Sequence, residues 1–166
     1  MPNMPDNIYM NPTARSITEL VEGLRRRKNH IVFTNGVFDI LHYGHVDYLA
    51  KAKALGDVLI VGMNSDDSVK KFKSAGRPYQ TDTDRARILA ALRSVDYVIR
   101  FHEETPAQLI EMVKPEILVK GADYQISEIV GAVFVKSYGG KVRRIKLSPG
   151  RSTTDIVKKI QKAKKK

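Results

Sequence analysis

His42 and His45 stand three residues apart, directly after a glycine break in an apolar run, and that combination suits the handling of anions. The stretch Ile31-Val32-Phe33-Thr34-Asn35-Gly36-Val37-Phe38-Asp39-Ile40-Leu41-His42-Tyr43-Gly44-His45 reads as a buried strand, a phosphate-sized turn and a helix start. With the helix opening near Tyr43, both imidazoles reach the space above its N-terminus, where free N–H groups and the helix dipole favour negative charge. Gly36 lets the backbone turn beneath a ligand, and Gly44 lets a phosphate come close. Thr34 and Asn35 lead into that turn, and the N–H groups of Val37 and Phe38 are suited to cradling phosphate oxygens.

A lone histidine is more often structural than catalytic, but two at i and i+3 after a glycine turn favour function. No third His, Cys or carboxylate is spaced to complete a tight metal site. The chemistry these groups suit is the holding of phosphate anions and the neutralisation of charge that develops on them.

Other residues offer two readings each. Ser152, Thr153 and Thr154, followed by Asp155, form a helix N-cap, and their hydroxyls and free N–H groups also suit phosphates. Asp39 is either a polyol acceptor or a structural turn acid. Lys70, Lys71 and Lys73 are either a solvated helix end or cations on a loop that closes over a ligand. Arg85 falls in the first turn of its helix, where the dipole disfavours a cation, so an anion or carboxylate should compensate it. Lys120, Gly121 and Asp123 end a strand, as a tight turn or as a substrate contact.

Gly36-Val37-Phe38-Asp39-Ile40-Leu41-His42-Tyr43-Gly44-His45 resembles the GxFDxxHxGH signature of the cytidylyltransferase-like nucleotidyltransferases, and Gly150-Arg151-Ser152-Thr153-Thr154 is similar to the end of that family's other signature. The wider family often begins the second signature with an arginine. Leu147 occupies that position here, which makes Arg151 the candidate replacement. Within the family, residues 33–39, Leu118-Val119-Lys120-Gly121-Ala122-Asp123-Tyr124 and Ser152-Thr153-Thr154 most resemble the bacterial heptose 1-phosphate adenylyltransferases.

That resemblance implies transfer of AMP from ATP, with Mg²⁺, to D-glycero-D-manno-heptose 1-phosphate, giving ADP-heptose for lipopolysaccharide core or a related surface glycan. It implies His42 and His45 as the catalytic pair. Thr34, Asn35, Gly36, Val37, Phe38, Gly44, Gly121, Arg151, Ser152, Thr153 and Thr154 would contact the nucleotide. Asp39, Lys120 and Asp123 would face the sugar phosphate, with Lys70, Lys71, Lys73 and Arg85 as further candidates. A homodimer and a separate sugar kinase are expected, the chain being too short to include the kinase. The rival within the family is a glycerol-3-phosphate or other cytidylyltransferase using CTP. From another class, a non-catalytic nucleotide- or nucleic-acid-binding domain would keep the Gly36 turn but not need both histidines.

Composition bounds these readings. The 166 residues, 42% of them hydrophobic, fit one domain with a real core. Cysteine is absent, which removes disulfide and thiolate chemistry and is compatible with a reducing cytoplasm. No stretch has the length or character of a signal peptide or a membrane span. The formal charge of +11 gathers at helix ends, in Arg25-Arg26-Arg27-Lys28 and in Lys158, Lys159, Lys162 and 164–166. Cations there are favoured by the dipole alone, so neither a nucleic acid nor a membrane is expected as a partner.

Around the motif, strands and helices alternate. Residues 1–15, with Pro2, Pro5 and Pro12, read as a flexible arm, and 16–166 as the nucleotidyltransferase domain. Ser16-Ile17-Thr18-Glu19 resembles a capping box, and Gly56 a helix C-cap. Five strands are expected, over 31–34, 57–63, 96–101, 116–120 and 141–147. The last helix is capped by Ser152, with Ile156, Val157 and Ile160 inward. The pattern predicts an α/β, Rossmann-like single domain, an open parallel five-stranded sheet with helices on both faces. Ligands bind such a sheet beyond the strand C-termini where strand order reverses, so the strand before Gly36 should be central.

Overall fold

A computed structural model describes residues 4–163. The sheet has six parallel strands, β1 (Ile8–Tyr9), β2 (Ile31–Gly36), β3 (Val58–Asn64), β4 (Tyr97–Phe101), β5 (Ile117–Gly121) and β6 (Lys141–Ile145), in the order β1-β4-β3-β2-β5-β6. The chain winds outward from β2 through β3 and β4, then returns to the other side of β2 with β5. The order therefore reverses at β2, as the sequence pattern predicts.

Side chains alternate faces along a strand, and the two faces have separate cores. On one face Ile31, Phe33, Val58, Ile60 and Leu118 pack against α1 (Ala14–Arg26), α5 (Ala107–Val113) and α6 (Ala132–Ser137). On the other, Val32, Leu59, Val61 and Val119 meet Tyr48, Leu49 and Ala52 of α2 (Tyr43–Lys53) and Ala86 and Leu89 of α4 (Asp82–Ala90). Burial on both faces explains why β3 is apolar almost throughout. The short α3 (Asp66–Phe72) follows β3. The closing helix, α7 (Thr153–Ala163), follows β6.

Four local expectations need correcting. The sheet has a sixth strand, because Ile8 and Tyr9 in the segment read as an arm pair with Val98 and Ile99 of β4. Two residues are too short for a period to show. The α1 N-cap is Thr13, and Ser16 is its capping-box partner three residues on. Gly56 is not a left-handed cap: α2 ends at Lys53 with Ala54 as C-cap, and a Cβ at Gly56 would come 2.7 Å from the His30 carbonyl oxygen. The glycine is needed for that close approach to the start of β2. Ile160 on α7 is exposed rather than inward, while Ile156 and Val157 are half-buried. Pro2 and 164–166 lie outside the described residues.

Candidate functional site

At the C-terminal edge of β2 the chain leaves the sheet through Val37 and enters the cleft floor. Phe38 adopts a left-handed φ of 51°, a strained conformation for a non-glycine residue of the kind that collects at functional turns. Its buried ring meets the edge of His45 at 5.4 Å. His42 is the N-cap residue of α2, in extended conformation, so its ring swings over the first helical turn and stacks on His45 at 3.9 Å. Gly44 permits this. A Cβ there would lie 3.0 Å from the His42 ring and 3.1 Å from Cβ of Arg151.

That second contact joins the two sequence motifs. The α7 N-terminus reaches the same cleft, with Thr153 Oγ1 donating to the Ile40 carbonyl at 3.3 Å. Ser152 Oγ accepts from the N–H of Asp155 at 3.1 Å, the helix cap its sequence implies. From α2, Asp47 accepts from Ser148 Oγ at 2.7 Å and so ties down the loop before Arg151. Two helix N-termini, each with its fixed positive potential, thus border one space.

The cleft has a volume of about 580 Å³. Asn35, Gly36, Val37, Phe38, Asp39, His42, Gly44 and His45 line it from the first motif, and Lys120, Gly121 and Asp123 from the end of β5. Arg151, Ser152, Thr153 and Thr154 close it from α7, and Lys73 stands at its rim. Lys120 is largely enclosed. Its Nζ donates to the Asn35 carbonyl at 3.1 Å, and burial pushes its pKa down to about 8, opposed by the Asp123 carboxylate. It is a cation at neutral pH, held where the first strand turns.

The remaining expected residues lie elsewhere. Thr34 is wholly buried, and its hydroxyl shares a 2.7 Å hydrogen bond with Tyr48 beneath the turn. Lys70 is exposed and pairs with Asp67 at 3.1 Å, and Lys71 is exposed on the same helix end, away from the cleft wall. Arg85 is 1% exposed. Its guanidinium donates to the carbonyls of Gln80, Val37 and Asn64 and to Asp66 Oδ1 at 2.6 Å, so Asp66 is the compensating carboxylate and Arg85 braces the phosphate turn from behind. Asp39 lines the cleft, but its carboxylate accepts from Arg77 Nε, Tyr79 N and Gln80 N. The structure thus gives Asp39 the turn-acid role.

Sequence reasoning missed Arg77 and Glu104 as cleft residues. Arg77 falls in a loop between Gly76 and Pro78, where a cation reads as solvated. Only the fold bends that loop back over the β2 turn. Leu147 lines the cleft together with Arg151.

Burial holds the His45 pKa down to about 4, and His42 beside it adds to the effect. Burial also lowers His42. Nδ1 of both rings is buried without a hydrogen-bond partner among the described residues. Both imidazoles are therefore neutral at pH 7, and an anion drawn between them would raise both pKa values. An unfolded histidine titrates near ~6.5, so between that value and about 4 the unfolded chain holds more protons than the folded one, and stability falls as the pH drops. We expect the thermal midpoint to fall across this window and the fall to be smaller in His45→Gln. Scans in a pH series check this, and identical slopes in the two proteins would refute it.

An open parallel sheet with a glycine turn, a histidine pair and a second helix N-terminus at its switch point defines a phosphate- and nucleotide-handling α/β protein. Residues 33–159 match the cytidylyltransferase-like family, and the chain belongs to that family. It is 51% identical over 145 residues to the bifunctional protein HldE of Syntrophotalea carbinolica, covering 87% of this chain and 30% of that protein. To the bifunctional protein HldE of Campylobacter concisus it is 53% identical over 151 residues, covering 90% and 31%. The chain thus spans less than a third of the length of these relatives. Among solved structures, the lipopolysaccharide core biosynthesis protein of Thermoplasma volcanium is similar at a TM-score of 0.59 with 30% identity, over 72% of this chain and 97% of that one.

Proposed function

We propose that the protein transfers AMP from ATP to D-glycero-D-manno-heptose 1-phosphate, releasing pyrophosphate and forming ADP-heptose for lipopolysaccharide core or a related surface glycan. The observation that carries this reading is the convergence of the histidine pair and the Arg151–Thr154 segment on one cleft. The bifunctional relatives and the lipopolysaccharide core biosynthesis protein support the choice of acceptor.

In this reading an oxygen of the sugar 1-phosphate attacks the α-phosphorus of ATP. The bond to the bridging oxygen breaks, and pyrophosphate leaves with the electron pair. His42 and His45 donate hydrogen bonds to the oxygens on which charge grows, and the N–H groups of Val37 and Phe38 hold the phosphates in line. The α7 N-terminus, with Ser152, Thr153 and Thr154, receives the β- and γ-phosphates, and Arg151 supplies charge beside them. Lys120 and Asp123 take the sugar phosphate and nucleoside side. No covalent enzyme intermediate is needed.

Mg²⁺ accompanies the triphosphate. Among the described residues no group of three or more His, Cys, Asp or Glu side chains could hold a metal, while the Asp123 and Glu104 carboxylates stand on the cleft wall. Either residue fits Mg²⁺ by itself, since that ion takes as few as one carboxylate together with phosphate oxygens and waters. Bound there, it would neutralise phosphate charge. The homodimer, the cytoplasmic location and a sugar kinase supplying the acceptor belong to the same proposal. Among the described residues no helix is long and apolar enough to cross a membrane.

Pyrophosphate release with ATP or CTP, each paired with heptose 1-phosphate or glycerol 3-phosphate, tests the assignment. We expect kcat/KM for ATP with heptose 1-phosphate to exceed every other pair by about tenfold or more, because a site that hydrogen-bonds one substrate leaves buried polar groups unpaired with another. A higher value for CTP with glycerol 3-phosphate would keep the family and overturn the substrates.

A further inference from the structure

We propose that Arg77 is a phosphate-binding residue of this cleft and that Asp39 acts as the positioning residue that orients it, an inference that rests on the nucleotidyl-transfer reading above. The Asp39 side chain is 1% exposed, and its Oδ1 already accepts the backbone N–H groups of Tyr79 and Gln80 at 2.7 and 3.1 Å. Its Oδ2 receives Arg77 Nε at 2.6 Å. The guanidinium carbon also lies 4.6 Å from the centre of the Tyr79 ring, a cation–π contact. Held at the Nε end, Arg77 has no partner for Nη1 or Nη2 among the described residues, and it lines the cleft with Asp39, His42 and Lys73.

A loop latch would need only the two backbone N–H groups and the carboxylate. A guanidinium anchored through Nε leaves its outer N–H pair in the fork geometry that matches two phosphate oxygens. Asp39 is also one residue from Phe38, whose left-handed backbone shapes the phosphate turn. One carboxylate therefore ties the cation-bearing loop to the turn that holds the phosphates, and the position of Arg77 relative to the histidine pair is set by a short rigid link.

The experiment uses the full chain and its Arg77→Ala, Arg77→Lys and Asp39→Asn variants and the Ala/Asn double variant. It reads ATP and inorganic phosphate binding by calorimetry beside steady-state turnover. We expect Arg77→Ala to weaken anion binding or kcat/KM by about tenfold or more, Arg77→Lys to recover only part, and added guanidinium ion to restore activity to Arg77→Ala. Guanidinium should rescue the double variant poorly, since Asp39 no longer receives it. A merely structural aspartate would not produce that difference.

A raised Kd for ATP would put Arg77 on the triphosphate, and an unchanged Kd with a raised acceptor KM would put it on the acceptor phosphate. Either outcome supports the proposal. Anion affinities and kcat/KM within about twofold of the parent in Arg77→Ala would overturn it. Equal guanidinium rescue with and without Asp39 would remove the positioning role. Failure of the heptose assignment alone would look different, as normal ATP binding in the parent without heptose turnover.

Discussion

Replacing either His42 or His45 by alanine is expected to lower kcat by about a hundredfold or more while leaving the fold intact, because each removes a preorganised donor to charge that exists only in the transition state. The two rings stack on each other and both are neutral in the free site, so each is paired through its neighbour rather than through a core hydrogen bond. Neither ring caps α2 through its side chain, which is why the helix should survive the change. Steady-state pyrophosphate release, read beside far-UV circular dichroism and a thermal midpoint, checks both halves. Turnover near that of the parent in both variants would remove the histidine mechanism. A double variant losing little more than either single one would show that the stacked pair works as a unit.

Arg85→Met is expected to be the most damaging single change to stability. The native guanidinium is fully enclosed and meets three backbone carbonyls and the Asp66 carboxylate. Methionine fills much of the volume but satisfies none of them. Asp66 keeps contact with solvent, so most of the cost is that of leaving buried carbonyls without a donor, about 1–3 kcal/mol each. For a domain of this size that corresponds to a fall in Tm of roughly 10 °C or more. Activity should fall further than unfolding alone explains, since the Val37 carbonyl to which Arg85 donates belongs to the phosphate turn. Arg85→Lys reaches fewer of the four acceptors and should recover only part. A Tm within about 2 °C of the parent would show that the network relaxes at little cost.

Much of the site was legible in the chain because its chemistry is local. The run from Ile31 to His45 needs only its own residue types to turn from strand to helix and place two imidazoles over one N-terminus. The five longer strands announced themselves by length and by β-branched content. The strand-order rule then puts the first of them at the switch point. Ser152 likewise showed its cap in sequence, since a cap bonds within three residues.

What escaped was set at long range. β1 consists of two residues whose strand character exists only because β4 offers an edge to pair with. Asp39, Arg77 and Arg85 are separated by up to 46 positions in the chain, and no periodicity connects them; their roles follow from which donors surround each group once the 73–80 loop folds back over the β2 turn. Asp39 and Arg85 each carry two readings in the sequence, because a charged side chain beside a phosphate turn has two outlets, ligand or protein. Sequence reports the charge but not the outlet. The tertiary structure decides it, by enclosing the Arg85 guanidinium among carbonyls and by giving the Asp39 carboxylate Arg77 and two backbone N–H groups as donors.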